Sequence, residues 1–106
     1  MTKEKEVYVV NKAGHDFSKA EEYGELVFLS EGPINRYSLT AMYREFSEKL
    51  KDSSPGDFIL PTGYSIMTMI AGAIFAHKHE RINVLLYKDG NYISRSIVLN
   101  HQDEDK

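Results

Sequence analysis

The segment NKAGHDFS, residues 11–18, carries the most chemically suggestive side chain in the sequence. A histidine such as His15 exchanges protons near neutral pH, and a carboxylate from Asp16 or Glu31 could orient it as a general acid or base. Gly14 lets the backbone turn or approach a ligand closely. The plainer reading of the same residues is that Asp16 makes a local turn bond while His15 faces solvent. Lys12 and Arg36 follow two separate apolar runs. A parallel sheet would bring both to one edge, where a phosphate or carboxylate could meet them. The third feature is the break Pro61–Ser65 inside FILPTGYSIMTMIAGAIFA. There Gly63 permits a tight turn and Ser65 can cap the helix that follows, and helix N-termini attract anions through free amides and the dipole. The candidate ligand-binding residues are therefore Asn11, Lys12, His15, Arg36, Tyr37, Thr62, Gly63 and Ser65, with Tyr37 or Tyr64 able to stack on a base. No Walker sequence and no G-x-G-x-x-G is present, so the signal is one of position and not of motif. His15, Asp16 and Glu31 are the only catalytic candidates. An enzyme usually shows more convergent ionisable residues than that.

His77, Lys78 and His79 look like a metal motif, but i, i+2 residues on a helix diverge, and cations in a last turn suit the helix dipole. His101 would have to fold back to join them, and a zinc site needs three or four converging ligands. The chain has no cysteine, which removes disulfides, thiolate catalysis and cysteine-ligated metals together. Neither a metal nor a cofactor is expected.

The elements that must position these residues follow from pattern. VYVVN (Val7–Asn11) is a β-branched and aromatic run, hence a strand. Ser18 and Glu21 fit a capping box for a short helix, with Gly24 as its stop. ELVFLS (Glu25–Ser30) is apolar on both faces, as a buried strand is. Ser38 is a good N-cap for LTAMYREFSEKLK, where Leu39, Met42, Tyr43, Phe46 and Leu50 form one apolar stripe. On its outer face Arg44–Glu48 and Glu45–Lys49 can pair at i, i+4. FILP (Phe58–Pro61) is a short buried strand. The next helix, from Ile66 to about His79, has almost no polar face, so it should be sandwiched or lie at an oligomer interface. INVLLY and YISRSIVL are strands joined by KDGN, whose Asp-Gly is a strong hairpin signal. Strands separated by helices imply right-handed crossovers and a parallel sheet, and the terminal hairpin adds an antiparallel edge. The expected fold is a small α/β domain of about five mostly parallel strands, with two main helices and a C-terminal β-hairpin. Residues 1–6 read as a flexible leader, 7–100 as the domain and 101–106 as a disordered tail.

The chain has 106 residues, 42% hydrophobic and 27% charged, with a net charge of −3. That acidic balance argues against a surface for duplex nucleic acid. The N-terminus is charged, so no secretory signal is visible, and the longest apolar run falls short of the ~20 residues that span a bilayer. A cytoplasmic location is expected.

The segments VYVVNKAGHDFSKAEEYGELVFLSEG, MYREFSEKLKDSSPGDFIL and AIFAHKHERINVLLYKDGNY cover most of the chain. They resemble a family of small uncharacterised proteins encoded by tailed phages and related mobile elements. No catalytic residues are assigned in that family, so no residue role carries over. The resemblance implies a host cytoplasm and interference with a host system. Three functions compete. The first is an interaction module, homo-oligomeric or directed at a host protein, anchored by the apolar second helix or the strand edge. The second is a binding protein for a nucleotide or other phosphate-bearing small molecule at the strand carboxyl ends. The third is a small hydrolase or nuclease built on His15. The first is favoured over the second, and both over the third.

Overall fold

The computed structural model describes residues 4–12 and 14–99. The tail expected at 101–106, with His101, and the first three residues of the expected leader lie outside them. The elements are β1 (Glu6–Val9), a 3-10 helix (Ser18–Tyr23), β2 (Glu25–Phe28), α1 (Leu39–Leu50), β3 (Phe58–Leu60), α2 (Ser65–His79), β4 (Arg81–Lys88) and β5 (Asn91–Val98). The strands form one five-stranded sheet in the order β2-β1-β3-β4-β5. β1 pairs in parallel with β2 and β3, β3 in parallel with β4, and β5 returns antiparallel to β4. The expected fold class is the observed one.

Strand order explains the layers. The chain steps from β1 outward to β2, then crosses back over β1 to β3 and continues to β4. Right-handed crossovers in opposite directions put their connections on opposite faces. One face therefore carries α1 and α2: Tyr8, Val10, Leu29 and Ile59 pack there against Met42, Phe46, Leu50, Met67, Ala71 and Phe75. The other carries the 3-10 helix: Val7, Val9, Leu60 and Leu85 pack against Phe17, Ala20 and Tyr92. Truncating a fully buried ring such as Phe46 or Phe75 to alanine is expected to cost about 3–5 kcal/mol.

Local chemistry sets the ends of these elements, with some differences from the pattern. The 3-10 helix begins without the Ser18–Glu21 capping box. Asp16 Oδ1 instead accepts the Ser18 amide hydrogen at 2.9 Å. Gly24 does end that helix, its amide donating to the Glu21 carbonyl at 3.2 Å. Ser38 occupies the N-cap of α1 but makes no side-chain cap bond. For α2 the N-cap is Tyr64, and Ser65 is the first helical residue, not the cap. On α1, Glu45 and Lys49 meet at 3.9 Å, while Glu48 pairs with Lys51 at 2.8 Å. That carboxylate also raises the Lys51 pKa. The hairpin turn has positive φ at both Asp89 (53°) and Gly90 (88°), the type I′ requirement that Asp-Gly meets best.

Two buried polar groups tie the amino-terminal half of the sheet together. Asn83 Nδ2 donates to the carbonyls of Pro55 and Asp57, both at 2.7 Å, and its Oδ1 accepts from Ser96 Oγ at 2.7 Å and Arg81 Nε at 3.1 Å. The fully buried Asp57 accepts the amides of Glu6 at 3.0 Å and Ser54 at 2.8 Å. Close by, the Tyr8 hydroxyl donates to Glu6, and burial, reinforced by that carboxylate, holds the phenol proton on.

Candidate functional site

The strand order reverses between β1 and β3, and ligands of open parallel sheets bind beyond the carboxyl ends of strands at such a point. Asn11 leaves β1 there and Thr62 leaves β3. The two are joined. Thr62 Oγ1 accepts the Asn11 amide hydrogen at 2.7 Å and donates to the Asn11 carbonyl at 2.7 Å. The Asn11 side-chain amide donates to Ser30 Oγ at 2.9 Å and the Gly32 carbonyl at 3.2 Å, and Ser30 Oγ donates to the Val10 carbonyl at 2.8 Å. One polar cluster thus ties the ends of β1, β2 and β3. Gly63 belongs to it by necessity: its φ is +81°, and a Cβ there would sit 3.0 Å from Asn11 Cβ and 3.1 Å from Met67 Sδ. Asn11, Thr62 and Gly63, all candidate ligand residues, therefore also hold the carboxyl edge of the sheet together.

The remaining candidates fan out on both sides of this tie. On the face of the two main helices, Arg36 stacks between two tyrosines, its guanidinium carbon 5.2 Å from the Tyr37 ring and 4.8 Å from the Tyr64 ring. A cavity of about 350 Å³ opens beside Tyr64, lined also by Asn11, Pro33, Ile34 and Gly63. Ser65 lines a separate shallow hollow with Pro61, Thr62 and Met69. On the opposite face, His15, Asp16 and Thr62 line a cleft of about 490 Å³ whose other walls include Phe17, Tyr87 and Tyr92. The Lys12 amine lies 5.1 Å from the centre of the Phe28 ring, and its backbone pairs with that of Glu31. Lys12 and Arg36 share the carboxyl edge, as the parallel sheet requires, but they lie against different aromatic partners. The catalytic candidates divide as well: His15 and Asp16 line the cleft, and Glu31 does not.

Two groups in the cleft have shifted acidity. The bond from the Ser18 amide holds the Asp16 carboxyl below the usual aspartate range, and burial pushes the Tyr92 phenol up. Tyr87 and Tyr92 face each other across the hairpin, ring centres 5.3 Å apart and planes at 67°. His15 meets Phe17 in a similar edge-on contact at 6.0 Å and 70°. Tyr87 and Tyr92 escaped the sequence reading. Their alternation in the two strands places both on one face, but only the pairing across the type I′ turn brings them to the cleft.

The family assignment rests on residues 5–100, which match the model of the phage Pam3 gp32-like proteins. The chain belongs to that family. No curated protein and no solved structure matches the chain well enough to add a further relative. The matched range takes in every strand and helix and all the candidate residues above, so the resemblance to small phage-encoded proteins read from the sequence holds across the domain.

Among the described residues, no group of three or more metal-ligating side chains is placed to hold an ion, and no helix is long and apolar enough to cross a membrane. His77 and His79 diverge as their i, i+2 spacing demands. His77 lines an exposed groove between α1 and α2. His79 turns inward, with Nε2 2.8 Å from Ser53 Oγ and its ring 4.5 Å from that of Phe75.

Proposed function

We propose that this phage-family protein is a non-enzymatic interaction module, acting in the host cytoplasm, that self-associates through its β4–β5 hairpin. The observation that carries the reading is the apolar surface left open on the helix side of that hairpin: Ile97 is 61% exposed and Leu86 46%. α2, the first suspect for an interface, is mostly covered within one chain. Of its large apolar residues only Met69 is exposed, because α1, the sheet and β4 surround the rest. β5 is different. It pairs with β4 alone. Tyr23 and Arg95 already donate to the Tyr92 and Ser94 carbonyls, so the edge left to add a strand from another copy is its C-terminal part, around Ser96 to Val98. Ile97 pairs with Ile82, and Ile93 with Leu86; Leu86 and Ile97 stay exposed where α2 no longer covers the sheet. Arg95 would meet its own copy in a register centred on it, and like charges directly opposed destabilise a ladder. The favoured register is therefore centred nearer Ile97.

Sedimentation tests this. A mass near twice 12.1 kDa is expected at high protein concentration, and Ile97→Lys should lower it to that of one chain with the fold intact. Burying an isoleucine contributes about 1.5–3 kcal/mol, so the substitution should weaken association about tenfold or more. A wild-type protein that stays monomeric at high concentration would end the reading. For a host protein, the α1–α2 groove is the surface left over. Leu39, Tyr43, Ile70 and Ile74 line it, Lys51, His77 and Lys78 stand in its wall, and no carboxylate is among its lining residues. An acidic amphipathic helix suits that chemistry.

A second reading places a phosphate-bearing ligand on the helix side of the carboxyl edge. Arg36 stacked on Tyr37 and Tyr64 supports it, as do two helix starts that lack side-chain caps. Titration with a nucleotide panel, repeated with Arg36→Ala and Lys12→Ala, separates the two readings. Binding lost in Arg36→Ala favours this one, and binding by no nucleotide removes it.

A further inference from the structure

On the opposite face of the same edge, we infer that the cleft beside the 3-10 helix binds a methylated ammonium group, such as choline or a trimethylated lysine. The site is separate from the phosphate reading on the helix side and from self-association through the helix side of the hairpin.

Three observations point there. The walls are aromatic: Phe17, Tyr87, Tyr92 and the imidazole of His15 line the cleft. The rings stand in near-perpendicular pairs, at 67° for Tyr87–Tyr92 and 70° for His15–Phe17. In each pair one ring is buried, Phe17 or Tyr92, and the other, His15 or Tyr87, is exposed, so the exposed rings can offer π faces to one cation over an aromatic floor. The charge is also of the right sign. Asp16 is the only carboxylate among the lining residues, and neither lysine nor arginine is among them. A phosphate would meet that carboxylate, on which Lys19 outside the lining acts less than the Ser18 bond does, whereas an ammonium would find a counter-charge. Leu60 and Leu85 complete the lining with apolar surface. A weakly hydrated alkylammonium tolerates such a surface, while a small inorganic cation would lose its water without replacement ligands.

The cleft is also held open in advance. The Tyr23 hydroxyl donates to the Tyr92 carbonyl at 2.8 Å, and Lys19 Nζ donates to the Gly90 carbonyl at 2.9 Å. Both bonds tie the hairpin to the 3-10 helix, so the aromatic wall need not be ordered when a ligand arrives. That bond turns the Lys19 ammonium toward the hairpin and leaves its charge, which still acts on Asp16.

The test is an NMR titration of the isotopically labelled full chain with choline, with a trimethyllysine peptide and with 3,3-dimethylbutanol, the neutral isostere of choline. Saturable shifts at Asp16, Phe17, Tyr87 and Tyr92 are expected with the two cations, and binding about tenfold weaker with the isostere, the range a partly desolvated cation–π contact provides. Tyr87→Ala should abolish binding without disturbing the core, because the ring is largely exposed, while Tyr87→Phe should retain it. Asp16→Asn, which can still accept the Ser18 amide, should weaken the cations and leave the isostere unchanged. Tighter binding of the peptide than of choline would assign the ammonium to a protein side chain, and the reverse to a small molecule. Equal binding of choline and isostere would refute the cationic class and leave a neutral-ligand cleft. No shift at the cleft with any of the three would refute the site itself.

Discussion

Replacing Thr62 by valine isolates the tie at the switch point. The two side chains have nearly the same volume, so the change opens no cavity and crowds nothing. It deletes a single hydroxyl that both accepts from the Asn11 amide and donates to the Asn11 carbonyl, each at 2.7 Å. That hydroxyl extends the β1–β3 ladder beyond its last backbone rung, the Val10 amide to the Leu60 carbonyl at 3.1 Å. A buried polar group left without a partner costs about 1–3 kcal/mol. Two such groups would cost the sum if water were shut out. Thr62 is itself half-buried, so water reaches part of the gap, and about 2 kcal/mol is the working figure. For a domain of this size that lowers Tm by roughly 8–16 °C. Thr62→Ser keeps the hydroxyl and should recover most of the loss. The assay is urea unfolding of the three proteins with the slope m compared, backed by hydrogen exchange at the Asn11 amide, which should lose protection in Thr62→Val alone. If Thr62→Val lies within about 0.5 kcal/mol of wild type at unchanged m, the tie is not structural. Thr62 would then be free for the ligand role that its position suggested.

Asn83→Ala should cost about 1–3 kcal/mol in the same assay, because it strips the donor from the buried Asp57 carbonyl, while water can reach the Pro55 carbonyl; a loss below about 0.5 kcal/mol would contradict that account. Gly90→Val should destabilise by about 1–2 kcal/mol through backbone strain alone, since a Cβ there meets nothing within 4 Å. An unchanged melting temperature would refute the type I′ assignment. Gly63→Ala combines positive φ with contact to Asn11 and Met67, so it should be worse than a replacement at Gly90; equal losses would mean that the loop yields. The Asp16 carboxyl is held below its ordinary value of 3.8 by the Ser18 amide, so its contribution to stability is present above that value and is lost as pH falls through the lowered one. The stability advantage of wild type over Asp16→Ala should accordingly be level from pH 5 to 8 and shrink in more acidic solution. An advantage that grows on acidification would reverse the assignment.

The elements themselves were legible because their signals are local. The β-branched and aromatic run of β1, the i, i+3, i+4 stripe of α1 and Asp89-Gly90 at the hairpin each act within a few residues. A stripe is apolar or it is not, and a type I′ turn asks for positive φ wherever it occurs. The parallel sheet followed from the order of those elements and the handedness of crossovers, which also put Lys12 and Arg36 at one edge. Strand order was another matter. Only the adjacency of β1 and β3 brings Thr62 onto Asn11, residues separated by 51 positions, and no periodicity records that meeting. The same holds for Asn83, which looks like an interruption in INVLLY until the Pro55 and Asp57 carbonyls are beside it. The apolar circumference of α2 could be read from composition. Whether another chain or this chain covers it depended on where α1 and β4 lie, and the fold covers all but Met69 of its large apolar residues. The open apolar surface falls instead on β5, because a sheet must end somewhere and α2 reaches only as far as β4. Residue types set what each segment could do. Packing decided which of them meet, because contacts across a sheet depend on strand order, and strand order is a property of the whole chain.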